Sequence, residues 1–216
     1  MSSLGFRPAI TAFLAHPSAQ TRHTLGDEVA GTGITIIGEA GNGRDALPAI
    51  LDLAPDVALL SVDLPDLDGV EVCRALRAEL PTCRVLLLAE HDDELAYQGL
   101  LAGAYGCYLL TDPPLPLVKA VRGTMRRESL PTPEWARRIL ASYNELATHD
   151  KDRIVPAPRL TPTESEVLTR LAEGVDPATI AEMHDVTAHL VRLHAGYAII
   201  KLYRAVADEE LVQAAS

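Results

Sequence analysis

Serine, histidine and aspartate are the side chains of nucleophilic hydrolysis, and this chain sets them at the ends of apolar runs. The stretch LLSVDLPDLDG, Leu59 to Gly69, carries Ser61 and Asp63, and His16 directly follows the run that ends at Ala15. If both runs are strands of one parallel sheet, the three residues meet at its carboxyl edge, where such folds bind ligands. A hydrolase would also need its serine raised on a sharp Gly-x-Ser-x-Gly turn. Ser61 lies between Leu60 and Val62, so the chain is read as a non-enzyme. A second constellation is basic: Thr187 to Arg204 carries Arg192, Lys201 and Arg204 and no acid, while acids crowd the flanking segments. Such a stripe is the electrostatic footprint of a phosphate backbone. Cys73, Cys83 and Cys107 lack paired or metal-ligand spacing and are expected to be reduced, half-buried thiols. Neither a metal nor a cofactor is expected.

Strands and helices must hold these groups in place. Ala9–Ala15, Ile34–Gly38, Val57–Leu60, Val85–Leu88 and Tyr105–Leu110 are apolar throughout, as strands buried on both faces require. Between them Thr21–Ala30, Arg44–Leu53, Val70–Leu80, Glu94–Ala102 and Leu115–Met125 carry apolar residues at spacings of three and four. These are covering helices, and Pro48 marks a late start or a kink in the second. Regular alternation with right-handed crossovers predicts a doubly wound, five-stranded parallel sheet over residues 1–127.

Residues 128–158 read as a linker with one helix, Pro133–Leu146, and a tether from His149 to Pro158. From 159 to 216 an all-α domain is expected. Thr161, Pro162 and Glu164 form a capping box, and Gly174 ends that helix. A helix opening on Asp176-Pro177, the short turn Asp185–Val186 and a helix from Thr187 make a helix-turn-helix. A last helix, Val206–Ala215, is predicted to complete four, with Leu211 and Val212 as its dimer surface.

At 216 residues and 48% hydrophobic content the chain can bury two cores. Its net charge of -11 argues against non-specific nucleic-acid binding by the whole surface. No apolar run approaches the roughly 20 residues of a membrane span, and no basic-then-apolar leader opens the chain, so no membrane partner and a cytoplasmic location are expected. The excess of arginine over lysine points to a GC-rich bacterial genome.

Both halves together resemble NarL/FixJ-type response regulators. The resemblance rests on LTPTESEVLTRLAEG, on IAE at Ile180–Glu182, and on PDVALL running into LPDLDG, and it covers nearly the whole chain. It implies a receiver with its strands in flavodoxin-like order, phosphorylated on an aspartate and joined to a helix-turn-helix domain that binds double-stranded DNA as a homodimer. In that chemistry an aspartate takes the phosphoryl group, two acids hold Mg²⁺ against it, and a lysine and a hydroxyl stabilise the charge.

Each position departs from the pattern. Counting back four residues from Pro65 puts the acceptor at Ser61, and the acid pair aligns with His16 and Pro17. The hydroxyl falls on Ala89 and the lysine on Thr111, allowing one extra residue near Cys107. Asp63 stands where the family's backbone carbonyl faces the metal, and is read as a loop acid that caps or solvates the turn. Tyr108 matches the aromatic switch position and is equally readable as core. A serine cannot form an acyl phosphate, so the receiver is expected to work without aspartyl phosphorylation. A small-molecule ligand or a partner protein at the receiver, or constitutive activity, would take its place.

In the second domain the resemblance puts Arg192 at a basic position facing the major groove, and Thr187 at a helix start that can meet a phosphate. Tyr197 and Lys201 become backbone contacts or packing residues. Leu193 and Gly196 fill positions that are often polar or basic in relatives. The reading is a transcriptional regulator with a degenerate receiver; the alternative is a protein-interaction module that has lost DNA binding.

Overall fold

Strands that are apolar on both faces need helices above and below, and the chain supplies them. The computed structural model describes residues 9–91, 94–111, 115–128, 131–148 and 159–214. Strands β1 (Ile10–Ala15), β2 (Ile34–Ala40), β3 (Val57–Ser61), β4 (Arg84–Ala89) and β5 (Gly106–Leu109) form one parallel sheet in the order β2-β1-β3-β4-β5. Helices α1 (Ala19–Val29), α2 (Gly43–Leu53), α3 (Gly69–Glu79), α4 (Glu94–Leu101) and α5 (Leu117–Met125) cover it.

Alternate residues serve opposite faces. Leu14, Leu59 and Leu88 pack with Leu25, Val29, Leu117 and Val121 of α1 and α5. Phe13, Leu60 and Leu87 face Ile50, Leu76 and Leu100 of α2, α3 and α4. Each of these side chains is buried, and burying a leucine in this way contributes about 2 kcal/mol. Local chemistry shifts some helix starts. Ser18 caps α1 two residues earlier than expected, and Asn42 caps α2 so that Pro48 lies inside the helix instead of delaying it. Pro116 sits as the extended N-cap of α5, moving its start to Leu117.

The C-terminal half contains α6 (Pro133–Thr148), α7 (Pro162–Ala172), α8 (Pro177–Met183) and α9 (Ala188–Ala214). The expected capping box on α7 is present, and Gly174 takes the left-handed conformation after it. One expectation is corrected: no separate helix begins at Val206, because α9 runs on to Ala214. Only Ala205, buried and a strong helix former, stands between Arg204 and Val206, and nothing there breaks the helix. The fourth helix of this half is instead α6, which packs against α7 and α9. The tether His149–Pro158 and the side chains of Leu211 and Val212 lie outside the described residues. Among the described residues no helix is long and apolar enough to cross a membrane.

Candidate functional site

The turn after β3 is built to hold one shape. The Gly43 N–H donates to the Pro65 carbonyl and the Gly69 N–H to the Val62 carbonyl, both at 3.1 Å. A methyl on Gly69 would lie 2.1 Å from the Ser61 carbonyl oxygen, so only glycine lets α3 start this close to β3. Asp66 takes a left-handed conformation, and Asp68 caps α3 reciprocally with Glu71. Both acids in LPDLDG are therefore spent on the turn. Asp63 is exposed and is not the cap: Asp68 is.

Inside that turn the chemical positions are neutral. Ser61 is 4% exposed at the end of β3, and Ala89 is buried at the end of β4. His16 is buried after β1, where its Nδ1 accepts from the Ser18 N–H at 3.1 Å. Burial holds its pKa below the ordinary histidine value, against the opposing charges of Glu90 and Asp63. The imidazole is thus neutral near pH 7 and offers no carboxylate for a divalent cation. Arg22 fixes the segment by donating to the carbonyls of His16 at 2.6 Å and Pro17 at 3.3 Å. The Thr111 hydroxyl donates to the Glu90 carbonyl at 2.6 Å. No hydrogen bond joins Ser61 to His16 among the described residues, and no group of acids, histidines and cysteines there could hold a metal ion.

The basic stripe is less free than its sequence suggests. Lys201 donates to Glu164 at 2.6 Å, and this pair closes the start of α7 onto α9. Burial raises the Glu164 pKa, but Lys201 and Thr161 outweigh it and hold the carboxyl below its ordinary value. Lys201 is therefore engaged within the helical half in this structure. Arg192 donates through Nε to Glu128 at 2.9 Å, joining α9 to the segment after α5. Gly196 is buried, Leu193 is half-buried, and Tyr197 is exposed. Thr187 is exposed at the start of α9, where its hydroxyl accepts from the Leu190 N–H at 3.4 Å.

Glu128 is the hub of this contact. Its carboxylate meets Arg126, Arg192 and, at 3.0 Å, His189. Burial pushes its pKa up, while the two guanidinium groups outweigh burial and hold it below the ordinary glutamate value. A cavity of about 340 Å³ lies beside it, lined among others by Leu100, Tyr108, Lys119, Trp135 and Arg192. None of His16, Pro17, Ser61, Asp63, Ala89 or Thr111 lines this cavity. This cavity lies at the β5–α5 edge, away from the turn after β3.

Comparison with known proteins fits both halves. The family model of the response regulator receiver domain matches residues 17–110. The probable transcriptional regulatory protein NarL of Mycobacterium tuberculosis (strain ATCC 25618 / H37Rv) is 36% identical over 183 residues, covering 81% of each chain. The chain is a NarL/FixJ-type response regulator. The uncharacterized transcriptional regulatory protein YxjL of Bacillus subtilis (strain 168) is 32% identical over 169 residues, 76% of each chain. Among solved structures, the signal receiver domain of NarL from Mycobacterium tuberculosis matches with 30% identity and a TM-score of 0.53, covering 56% of this chain and 98% of that one. An RcsB–DNA complex matches at 19% identity and a TM-score of 0.54 over 90% of this chain and 92% of that one, a likeness of fold alone.

What sequence reasoning missed in this response regulator lies in the presumed linker. Trp135, Ile139 and Tyr143 recur every four residues along α6 and are buried. The Tyr143 hydroxyl donates to the Ala198 carbonyl at 2.8 Å, and Arg137 donates to the Ala172 carbonyl at 2.6 Å. On its other side, α6 stacks Arg138 over Tyr97 of α4 at 3.8 Å and pairs it with Glu94. The four-residue apolar spacing was the available signal. Cys73 and Cys83 are fully buried instead of half-buried, and burial pushes both thiols up to about 12.

Proposed function

We propose that this response regulator is a transcription factor that binds promoter DNA as a dimer through α8 and α9, with a receiver that works without aspartyl phosphorylation. The observation that carries the reading is the β3 turn: its glycines, caps and backbone bonds are in place around a buried serine, with a neutral histidine and a proline at the positions of the acid pair. A scaffold kept without its reagent supports signalling by another input, a small ligand or a partner protein. The helix-turn-helix, its acid-free Thr187–Arg204 stretch, and relatives named as transcriptional regulatory proteins support DNA as the output.

In the conformation described, α4 packs against α9 and Glu128 holds Arg192. DNA binding then requires α9 to leave this surface, and two protomers to place their helices about 34 Å apart on the duplex. The test is genome-wide DNA capture with untreated protein, followed by gel shifts on the enriched duplex with wild type and Arg192→Ala. Specific binding without a phosphodonor, lost in the variant, supports the reading. Acetyl phosphate should leave the intact mass unchanged, and stoichiometric aspartyl phosphate at Asp63 would overturn it.

One observation favours a second reading, a protein-interaction module without DNA binding. Met183 at the end of α8, Val186 on the turn, and Leu190 and Tyr197 on α9 are large apolar side chains exposed in place of further cations. Absence of DNA binding at every salt concentration would select that reading.

A further inference from the structure

The altered phosphorylation turn leaves the input of this regulator open, and a cavity lies beside Glu128. Its walls are apolar and aromatic, including Leu100, Tyr108 and Trp135, all buried. A volume of about 340 Å³ suits a compact organic molecule. Its polar groups are unevenly matched. Lys119, Arg126 and Arg192 line it against the single carboxylate of Glu128. The Lys119 ammonium has no ion-pair partner among the described residues, and Glu128 engages Arg192 through Nε alone. Trp135 is 2% exposed, and its Nε1–H is buried without an acceptor. A buried donor left in that state costs about 1–3 kcal/mol in general and calls for a partner.

We infer that this cavity binds a small organic acid with an apolar body, its carboxylate held by Lys119 and Arg192 and by donors such as the Trp135 Nε1–H. The inference rests on the reading of a phosphorylation-independent regulator and gives that reading its ligand class. The sign of regulation follows from linkage. Leu100, Tyr108, Lys119 and Trp135 belong to the receiver and α6, whereas Arg192 belongs to α9 and joins the site only while α9 is docked. A ligand that gains a contact in the docked state shifts the population toward it, and DNA affinity falls by the same factor. The acid is therefore a co-repressor of DNA binding.

Trp135 is the single tryptophan of the chain, so its fluorescence reports on the cavity alone. Full-length protein is titrated with octanoate and cyclohexylacetate, both transparent at the excitation wavelength of tryptophan, and with octan-1-ol as the neutral counterpart. The expected result is a saturable change in Trp135 emission, with octanoate binding about tenfold more tightly than octan-1-ol. Lys119→Gln, at an exposed position, brings octanoate close to the alcohol, and Ala120→Phe, which fills the cavity, abolishes saturation. No saturable change with either acid, equal affinity for acid and alcohol, or an unaltered Lys119→Gln titration would each overturn the inference.

The enriched duplex supplies the second arm. Octanoate at saturation should weaken duplex binding several-fold in wild type and leave Lys119→Gln unaffected. Unchanged binding in wild type overturns the co-repressor role. Failure of any duplex to bind, with or without acid, overturns the DNA reading itself, while the Trp135 titration still decides occupancy of the cavity.

Discussion

Glu128 faces two guanidinium groups and an imidazole from a buried position, and the balance of these charges decides how tightly α9 is held. Removing the negative charge leaves Arg192 without its partner in the docked state only. Arg192 is partly solvated, so the pair is worth about 1 kcal/mol rather than the larger cost of a fully buried one. Glu128→Gln is therefore expected to raise DNA affinity about fivefold, measured by gel shift against wild type. The same residue gives a pH dependence with a definite sign. Its pKa in the docked state is lowered, so its contribution is fully present above the ordinary glutamate value of about 4.3 and is lost as pH falls through the lowered one. Trp135, which shares the cavity with Arg192, should shift its emission to the red over that acid range. The Glu128→Gln protein should lack this transition, and an identical transition in the variant would assign it to another group.

At the scale of elements, the β3 turn and α6 show what could and could not be read from sequence. The turn was legible because its signals are local: Pro65 fixes the count back to Ser61, and Asp68 with Glu71 forms a capping box at the expected spacing. The strands were legible because runs such as Val57–Leu60 have no polar face to offer water, and their order followed from the family resemblance. The role of α6 was not legible. Its charges, Arg137, Arg138 and Glu134, look like a solvated linker, and only packing shows that they flank a stripe buried against α7 and α9. Nor could the ion pair of Lys201 with Glu164 be seen, since its partners are 37 residues apart. Two substitutions test these elements by thermal or urea unfolding. Gly69→Ala drives a methyl into the Ser61 carbonyl and should cost more than about 2 kcal/mol. Tyr143→Phe removes only the bond to the Ala198 carbonyl and should cost about 1 kcal/mol. A Gly69→Ala protein as stable as wild type would show that the turn is not the fixed scaffold proposed.

For the whole molecule, a net charge of -11 on each chain must be overcome before any duplex is bound. Each protomer brings few cations to the task. With Lys201 held by Glu164, Arg192 and Arg204 are the cations that the acid-free stretch has left for phosphate or base contacts. A dimer then neutralises about four phosphates, and the slope of log K against log salt should be about -3.6, near 0.9 per phosphate. Affinity would fall about a hundredfold over a fourfold rise in salt, a shallow response for a DNA-binding dimer. Lys201→Met separates the two roles of that lysine. If it only secures Glu164, the variant melts earlier, because the Glu164 carboxylate keeps its burial cost without its main compensation, and the salt slope is unchanged. If Lys201 leaves Glu164 to bind phosphate in the complex, the slope loses about two units for the dimer. The same measurement thus reads whether the basic stripe acts as a packing device or as a recognition surface.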